Sequence, residues 1–215
     1  MSENFSLLLS NTNRSIQYLK TFEKSGIFPK KIVYLDNKKK NNILKKIFER
    51  IKSDKKCYFK IFKSNNINDN TVVRYLLNIR EKNIVYSGYP GSIITNNHLL
   101  NKKNLLHSHS GRLPDFRGST TIYYSLLKNK TIYCSTFIMR KKIDSGKILL
   151  VKKYPLPKNI LNIDSSYDHL IRAKNMLEVI KNLRNLKIIN KKDKKTLSYY
   201  VIHPALRTIT LNKKY

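Results

Sequence analysis

Phe5-Ser6-Leu7-Leu8-Leu9 runs directly into Ser10-Asn11-Thr12-Asn13-Arg14-Ser15, after which Ile16, Leu19, Lys20 and Glu23 fall on a helical period that stops near Gly26. An apolar run this short and unbroken reads as a buried strand, the polar hexapeptide as a turn, and the periodic stretch as a helix. The same unit returns downstream. Lys31–Leu35 is a second strand, and Asn42–Ile51 a second helix with Ile43, Ile47 and Ile51 at four-residue steps. Cys57–Ile61 is a third strand. Asp69 caps a helix to about Glu81 that carries Val72, Val73, Leu76, Leu77 and Ile79, and Ile84–Tyr86 is a strand entering the turn Ser87-Gly88-Tyr89-Pro90-Gly91. Strands alternating with helices of this length predict an α/β fold of Rossmann type, a mostly parallel open sheet with flanking helices.

Past residue 104 the rhythm changes. Leu105–Ser108 is a short strand feeding a Gly/Pro-containing loop at 109–119, followed by a helix over Thr120–Lys128 and strands at Thr131–Met139 and Lys147–Tyr154. Ser165 or Ser166 is placed to cap a long helix to Leu183, with Leu170, Ala173, Leu177 and Ile180 on one face. A basic hinge, Lys191–Lys195, precedes the strand-like segment Thr196–Ile202. The expected partition is therefore a domain over 1–190 and a strand-like extension over 191–215.

Composition limits the classes of function. The 215 residues carry 44 Lys+Arg against 13 Asp+Glu, a formal charge of +31. Such a charge draws phosphates. Yet 19 of the basic residues lie in 1–100 and 25 in 101–215, so no basic arm stands out, and Lys outnumbers Arg 34 to 10. Arg is the residue suited to bidentate phosphate or guanine recognition. We read a solvated basic surface that steers anionic small molecules, with a basic nucleic-acid-binding module as the alternative. No apolar stretch approaches a membrane span, and the first residues lack the basic region of a signal peptide, so a cytoplasmic protein without a membrane is expected. Cys57 and Cys134 read as core thiols.

Ligands of open α/β sheets bind at the carboxyl ends of the strands. Three segments should gather there: Ser10–Ser15, Ser87–Ile93 and His107–Gly118. The first opens a helix whose amides suit a phosphate, but it has no glycine and is not a dinucleotide fingerprint. The third reads His107-Ser108-His109-Ser110-Gly111-Arg112-Leu113-Pro114-Asp115-Phe116-Arg117-Gly118. No CxxC, HExxH or acidic cluster accompanies its histidines, so no metal is expected. A single ordered imidazole near carboxylates suits proton-transfer or oxyanion chemistry near neutral pH.

This pattern resembles the 10-formyltetrahydrofolate-dependent formyltransferases, whose members include glycinamide ribonucleotide transformylase, methionyl-tRNA formyltransferase and the sugar N-formyltransferases. Their hallmark is Asn-x-His-x-Ser-Leu-Leu-Pro-x-Tyr-Arg-Gly, with Asp-x-Gly-x-Ile-Leu some 35 residues beyond the His. His109 stands five residues before Pro114, Phe116-Arg117-Gly118 matches Tyr-Arg-Gly, and Asp144-Ser145-Gly146-Lys147-Ile148-Leu149 begins 35 residues after His109. The resemblance is clear over about residues 80–155. It implies a Rossmann-like formyltransferase fold, 10-formyltetrahydrofolate as formyl donor, and His109 and Asp144 as catalytic residues. In that frame His109 donates to the oxyanion while Asp144 holds it and organises removal of the amine proton. Tyr89, Pro90, Gly91, Ser92 and Ile93, with Arg140 and Ile143, would lie against the folate. Ser10, Asn11, Asn13, Arg14, Arg117 and Gly118 would face the amine substrate.

Two departures stand out. His107 occupies the position of the family's Asn, as a third catalytic candidate, and Gly111-Arg112 differs from the Ser-Leu-Leu stretch. Length leaves no room for the added domain of methionyl-tRNA formyltransferase. The Ser10–Ser15 loop is a poor match to the phosphate loop of glycinamide ribonucleotide transformylase. Ser119-Thr120-Thr121-Ile122-Tyr123-Tyr124 and Tyr199-Tyr200-Val201-Ile202-His203-Pro204 look more like the sugar-directed members. The expected substrate is thus an amino sugar, nucleotide-linked, for surface glycans. Glycinamide ribonucleotide is the alternative, an inactive relative remains open, and so does a homodimer.

Overall fold

The computed structural model describes residues 4–37, 41–53, 57–189 and 198–213. Two compact units divide the chain, residues 1–107 and 108–215.

The first unit is built from β1 (Phe5–Ser10), α1 (Asn13–Lys24), β2 (Lys31–Leu35), α2 (Asn42–Ser53), β3 (Tyr58–Phe62), α3 (Asn70–Asn78), β4 (Asn83–Ser87), α4 (Asn97–Lys102) and the start of β5 (Asn104–His109). Its strands run parallel in the order β3-β2-β1-β4-β5, with Leu7 opposite Ile32 on one side and Val85 on the other. β1 is buried at all six positions, which is why its sequence shows no polar alternation. Phe22 of α1 closes over it, edge-to-face with Phe5 at 5.6 Å between centroids. β3 sits at the edge with mostly exposed side chains.

Three readings change here. The buried stripe of α2 is Leu44, Ile47, Phe48 and Ile51, with Ile43 52% exposed. Four-residue steps advance 400° on a 3.6-residue helix, so the apolar face follows i, i+3, i+4, i+7. Asp69 does cap α3, its Oδ1 accepting from Thr71 N at 2.9 Å, but the helix ends at Asn78. Ile79 is extended, and Glu81 is buried against Lys31 Nζ at 2.9 and 3.0 Å. α4 had no counterpart in the sequence reading.

The second unit holds the end of β5, β6 (Arg117–Gly118), α5 (Thr121–Asn129), β7 (Ile132–Met139), β8 (Gly146–Tyr154), α6 (Asp168–Lys181), β9 (Ser198–Tyr199) and α7 (Pro204–Asn212). β7 and β8 are antiparallel, with an irregularity between Thr136 and Phe137, and β6 pairs in parallel with β9. Ile122, Tyr123, Leu126, Ile132, Cys134, Ile163, Ile171 and Ile202 form its core. The fold is α/β, with a mostly parallel seven-stranded main sheet and flanking helices.

α6 begins later than expected. Ser165 and Ser166 donate their hydroxyls backwards to the carbonyl of Asn162 at 3.4 and 3.3 Å, inside a wide π-type turn, so neither caps the helix. The buried face is Ile171, Ala173, Met176, Val179 and Ile180; Leu170 and Leu177 are half-buried. Of the expected terminal strand, Ser198–Tyr199 is a strand among the described residues, Tyr200 and Val201 are exposed, and α7 follows. Residues 190–197, including the basic hinge, lie outside the described residues. Cys134 is a core thiol as expected, whereas Cys57 is only half-buried. Burial pushes the Cys57 thiol up to about 11 and raises that of Cys134 further. Among the described residues no helix is long and apolar enough to cross a membrane.

Candidate active site

His109 ends β5 and is 3% exposed. Its Nε2 lies 2.8 Å from the carbonyl oxygen of Phe116 and 3.0 Å from Thr121 Oγ1. A carbonyl only accepts, and the Thr121 hydroxyl gives its one hydrogen to Ser110 O at 2.6 Å, so Nε2 carries the ring hydrogen. Nδ1 therefore presents its lone pair, and it faces Asp144 Oδ2 at 3.5 Å. Burial holds the imidazole below its ordinary pKa; the Asp144 carboxylate pulls it up and Arg172 pushes it down. The neutral ring and the carboxylate are two acceptors aimed at one another. A proton arriving on Nδ1 meets a carboxylate ready to receive a charge-assisted hydrogen bond.

The loop before β8 puts Asp144 there by an unusual route. Asp144 adopts a left-handed backbone conformation, φ 44°, and is followed by Ser145, whose N–H and hydroxyl both donate to the carbonyl of Lys142, and by Gly146 at φ 139°. A Cβ on Gly146 would collide with the carbonyl of Ile138, so only glycine lets the chain enter β8 beside β7. Oδ2 of Asp144 accepts from Gly118 N at 2.8 Å. Gly111, one of the departures from the family motif, has a physical reason: a Cβ there would lie 2.8 Å from both His109 Nε2 and the Phe116 carbonyl.

Helix α6 braces β5 on either side of the histidine. Arg172 Nη1 donates to Ser108 O at 2.7 Å and its Nε to Asp168 Oδ2 at 2.7 Å, while the Ser110 hydroxyl donates to Asp168 Oδ1. Burial alone would raise the Asp168 carboxyl, but Arg172 and the hydrogen bonds of His169 and Ser110 hold it well below the usual carboxylate range. A second polar chain lies beneath. Tyr154 donates to Asn175, Asn175 to Thr136 Oγ1 at 2.8 Å, and Thr136 Oγ1 is 2.7 Å from Ser108 Oγ.

In the first unit, the Ser10–Ser15 segment is bound up with its own surroundings. Ser10 and Ser15 both donate to Ser87 O at 3.1 Å. Thr12 Oγ1 accepts from Ser15 N at 3.2 Å as the cap of α1, and Asn11 N donates to Tyr89 Oη at 3.4 Å. Arg14 reaches the turn after β4, through Nε to Ser87 Oγ at 3.3 Å and Nη2 to Gly88 O at 2.5 Å. Tyr89 in turn donates to Leu35 O at 3.3 Å. Asn13, Pro90, Gly91 and Ile93 are exposed, and Ser92 is half-buried. His107 Nδ1 is 3.3 Å from the carbonyl of Tyr86, which places its hydrogen on Nδ1.

No family model matches the chain. Methionyl-tRNA formyltransferase of Finegoldia magna is 33% identical over 108 residues, which cover 49% of this chain and only 34% of that protein's length. A sugar N-formyltransferase from Shewanella sp FDAARGOS_354 superimposes with TM-score 0.60 at 16% identity, covering 97% of this chain and 86% of that one. Glycinamide ribonucleotide transformylase 1 from Symbiobacterium toebii does so with TM-score 0.62 at 16% identity, covering 88% and 95%. The fold is that of the formyltransferases.

Within this formyltransferase fold the second unit brings His109, Asp144 and Gly118 together, with Arg117 buried and Arg140 and Ile143 exposed nearby in sequence. Sequence reasoning missed Asp168, Arg172 and Asn175, and it read Thr121 only as part of a segment that looks sugar-directed, not as a partner of His109. Only Asp168 and Arg172 carry a readable signal, opposite charges four apart on a helix. Among the described residues no three His, Cys, Asp or Glu side chains gather as a metal site requires.

Proposed function

We propose that this chain transfers a formyl group from 10-formyltetrahydrofolate to the primary amine of an amino sugar, with residues 1–190 as the catalytic domain. The observation that carries the reading is the His109–Asp144 pair, a buried neutral imidazole and a carboxylate 3.5 Å apart, on the two motifs that resemble the family. The folate derivative supplies the formyl carbon. Its place rests on the resemblance, and within the second unit Ile143, on the loop that carries Asp144, is 49% exposed.

The chain's own residues handle protons. His109 Nδ1 and Asp144 Oδ2 take the N–H proton of the attacking amine, and the imidazolium so formed is held by the carboxylate. Donation to an oxyanion passes through Nδ1, because the Nε2 hydrogen is already shared by Phe116 O and Thr121 Oγ1. His107, where the family has Asn, offers an acceptor at Nε2 when neutral and a donor when protonated.

The first turn of α1 favours an amino sugar over glycinamide ribonucleotide. Ser15 N in that turn donates to Thr12, Asn11 N just ahead of the cap donates to Tyr89, and Arg14 is turned to Ser87 and Gly88, so a phosphate there would displace contacts already made. On this reading the enzyme serves surface-glycan synthesis in the cytoplasm.

Mass spectrometry tests it directly. The protein and 10-formyltetrahydrofolate are incubated with nucleotide-linked and free amino sugars, glycinamide ribonucleotide and methionyl-tRNA. A mass gain of one formyl-for-hydrogen exchange on a sugar, lost in His109→Ala and Asp144→Asn, is the expected result. A gain confined to glycinamide ribonucleotide or methionyl-tRNA would overturn the sugar assignment, and no gain on any amine would overturn the activity.

A further inference from the structure

Strand β6 is two residues long, yet both members of the pair hang from it. The Phe116 carbonyl just before it accepts from His109 Nε2–H at 2.8 Å, and Gly118 N holds Asp144 Oδ2 at 2.8 Å. What holds β6 comes from far along the chain. Arg117 is in register with Ser198 and Gly118 with Tyr199, and Ser119 N donates to Tyr199 O at 2.9 Å. The Tyr199 ring stacks on Phe116, with centroids 5.4 Å apart and planes 14° apart, and lies 4.5 Å from the ring of Tyr124. Thr120 Oγ1 accepts from Ile202 N at 2.8 Å, and Ile202 is buried in the core of the unit. The fit admits no Cβ at Gly118, which would strike the Tyr199 carbonyl.

We infer that Tyr199 is a positioning residue for the proposed reaction: strand β9 and the Tyr199–Phe116 stack fix β6, and through it the distance and tautomer of the His109–Asp144 pair. The inference rests on the formyltransferase reading for its kinetic consequence, but not for its geometry. A two-residue strand has too little pairing of its own to stay in place. Its shift would move the Phe116 carbonyl and the Gly118 N–H together, and with them both partners of the pair. Tyr199 contributes its backbone and the face of its ring, so the ring rather than the hydroxyl is the working part.

The test uses the full chain as wild type, Tyr199→Leu and Tyr199→Phe, with two readouts. Nitrogen-15 NMR of the imidazoles reports the tautomer of His109, assigned by its loss in His109→Ala, and steady-state kinetics report kcat and KM. Tyr199→Leu is expected to mix the His109 tautomers and to lower kcat by about 10²-fold, the effect of an ångström-scale misplacement, with KM little changed. Tyr199→Phe is expected to restore both. Wild-type tautomer and kcat in Tyr199→Leu, or equal damage in Tyr199→Phe, would overturn the inference. Should Tyr199→Leu lose its cooperative melt, Phe116→Leu removes the same stack from the other ring and is judged by the same outcomes. If wild type formylates no amine, the activity reading fails while the NMR result still decides the role of Tyr199.

Discussion

The two units handle their backbones differently. In the first, positive φ among the described residues occurs only at Gly26 and Gly91, and a Cβ at either would meet nothing within 4 Å. In the second it occurs at Gly118, Thr120, Lys130, Asp144 and Gly146, and both glycines are pressed against backbone carbonyls. A side chain held in the left-handed region costs about 1–2 kcal/mol, so such residues persist only where neighbours overdetermine them. Here Asp144, Gly118 and Gly146 cluster around one carboxylate, and the strain lies where the chemistry is proposed. The first unit is regular, and the second is the one whose irregular backbone aims the side chains of the proposed pair.

Activity gives the largest expected contrast. His109→Ala and Asp144→Asn should each lower kcat by about 10²–10⁴-fold, the range of lost general acid–base catalysis. Arg14→Met in the first unit, which removes the bonds to Ser87 and Gly88, should leave kcat nearly unchanged. A kcat loss of equal size in Arg14→Met, measured under saturating donor, would break the division of labour.

Removing one charge of the α6 brace comes next. Asp168→Asn should lower stability by about 3–5 kcal/mol by stranding Arg172, whose side chain is 15% exposed. The double variant Asp168→Asn/Arg172→Met should recover part of that loss in urea denaturation. Additive losses would show that the two act separately.

The glycines then sharpen the comparison itself. Gly146→Ala should cost about 3 kcal/mol, at the top of the range for backbone strain, because a collision adds to an unfavourable φ. Gly26→Ala should cost about 1 kcal/mol, from its φ of 69° alone. Equal urea midpoints for the two would remove the distinction.

The smallest effect is on pH dependence. Burial lowers the His109 pKa, so near pH 7 the ring is mostly neutral in the unfolded chain and more completely so in the folded one. As pH falls below about 6.5 the unfolded chain binds a proton that the folded chain refuses until its lower pKa. Stability is therefore full above that value and declines through the window beneath it. Asp144→Asn removes the charge that pulls His109 up, so the imidazole NMR titration should move further toward acid. A move toward alkali would reverse the electrostatic assignment.

Reading the sequence recovered the first unit best because its strands are central and parallel. Leu7-Leu8-Leu9 and Ile32-Val33 are buried on both faces, and a short unbroken apolar run is what a strand covered on both sides requires. Failures came where local pattern is too short or is overruled. α4 is six residues long, less than two full turns, and shows no period. Ser165 and Ser166 have cap chemistry, but the wide turn before α6 uses their hydroxyls otherwise. Asn175 and Thr136 are fully buried, against the usual habit of polar side chains, because they complete each other's hydrogen bonds.

By itself the sequence determined the α/β class, the order of strands and helices along most of the chain and the two motifs 35 residues apart. Those are written in local apolar runs and in residues that only certain chemistry requires. Tertiary structure alone decided which nitrogen of His109 carries the hydrogen, how Asp144 reaches it, and that Tyr199 lies on Phe116. Each depends on groups brought together across 12, 26, 35 or more residues of chain, and a hydrogen bond is specified by where its partner finally sits, not by the residue that offers it.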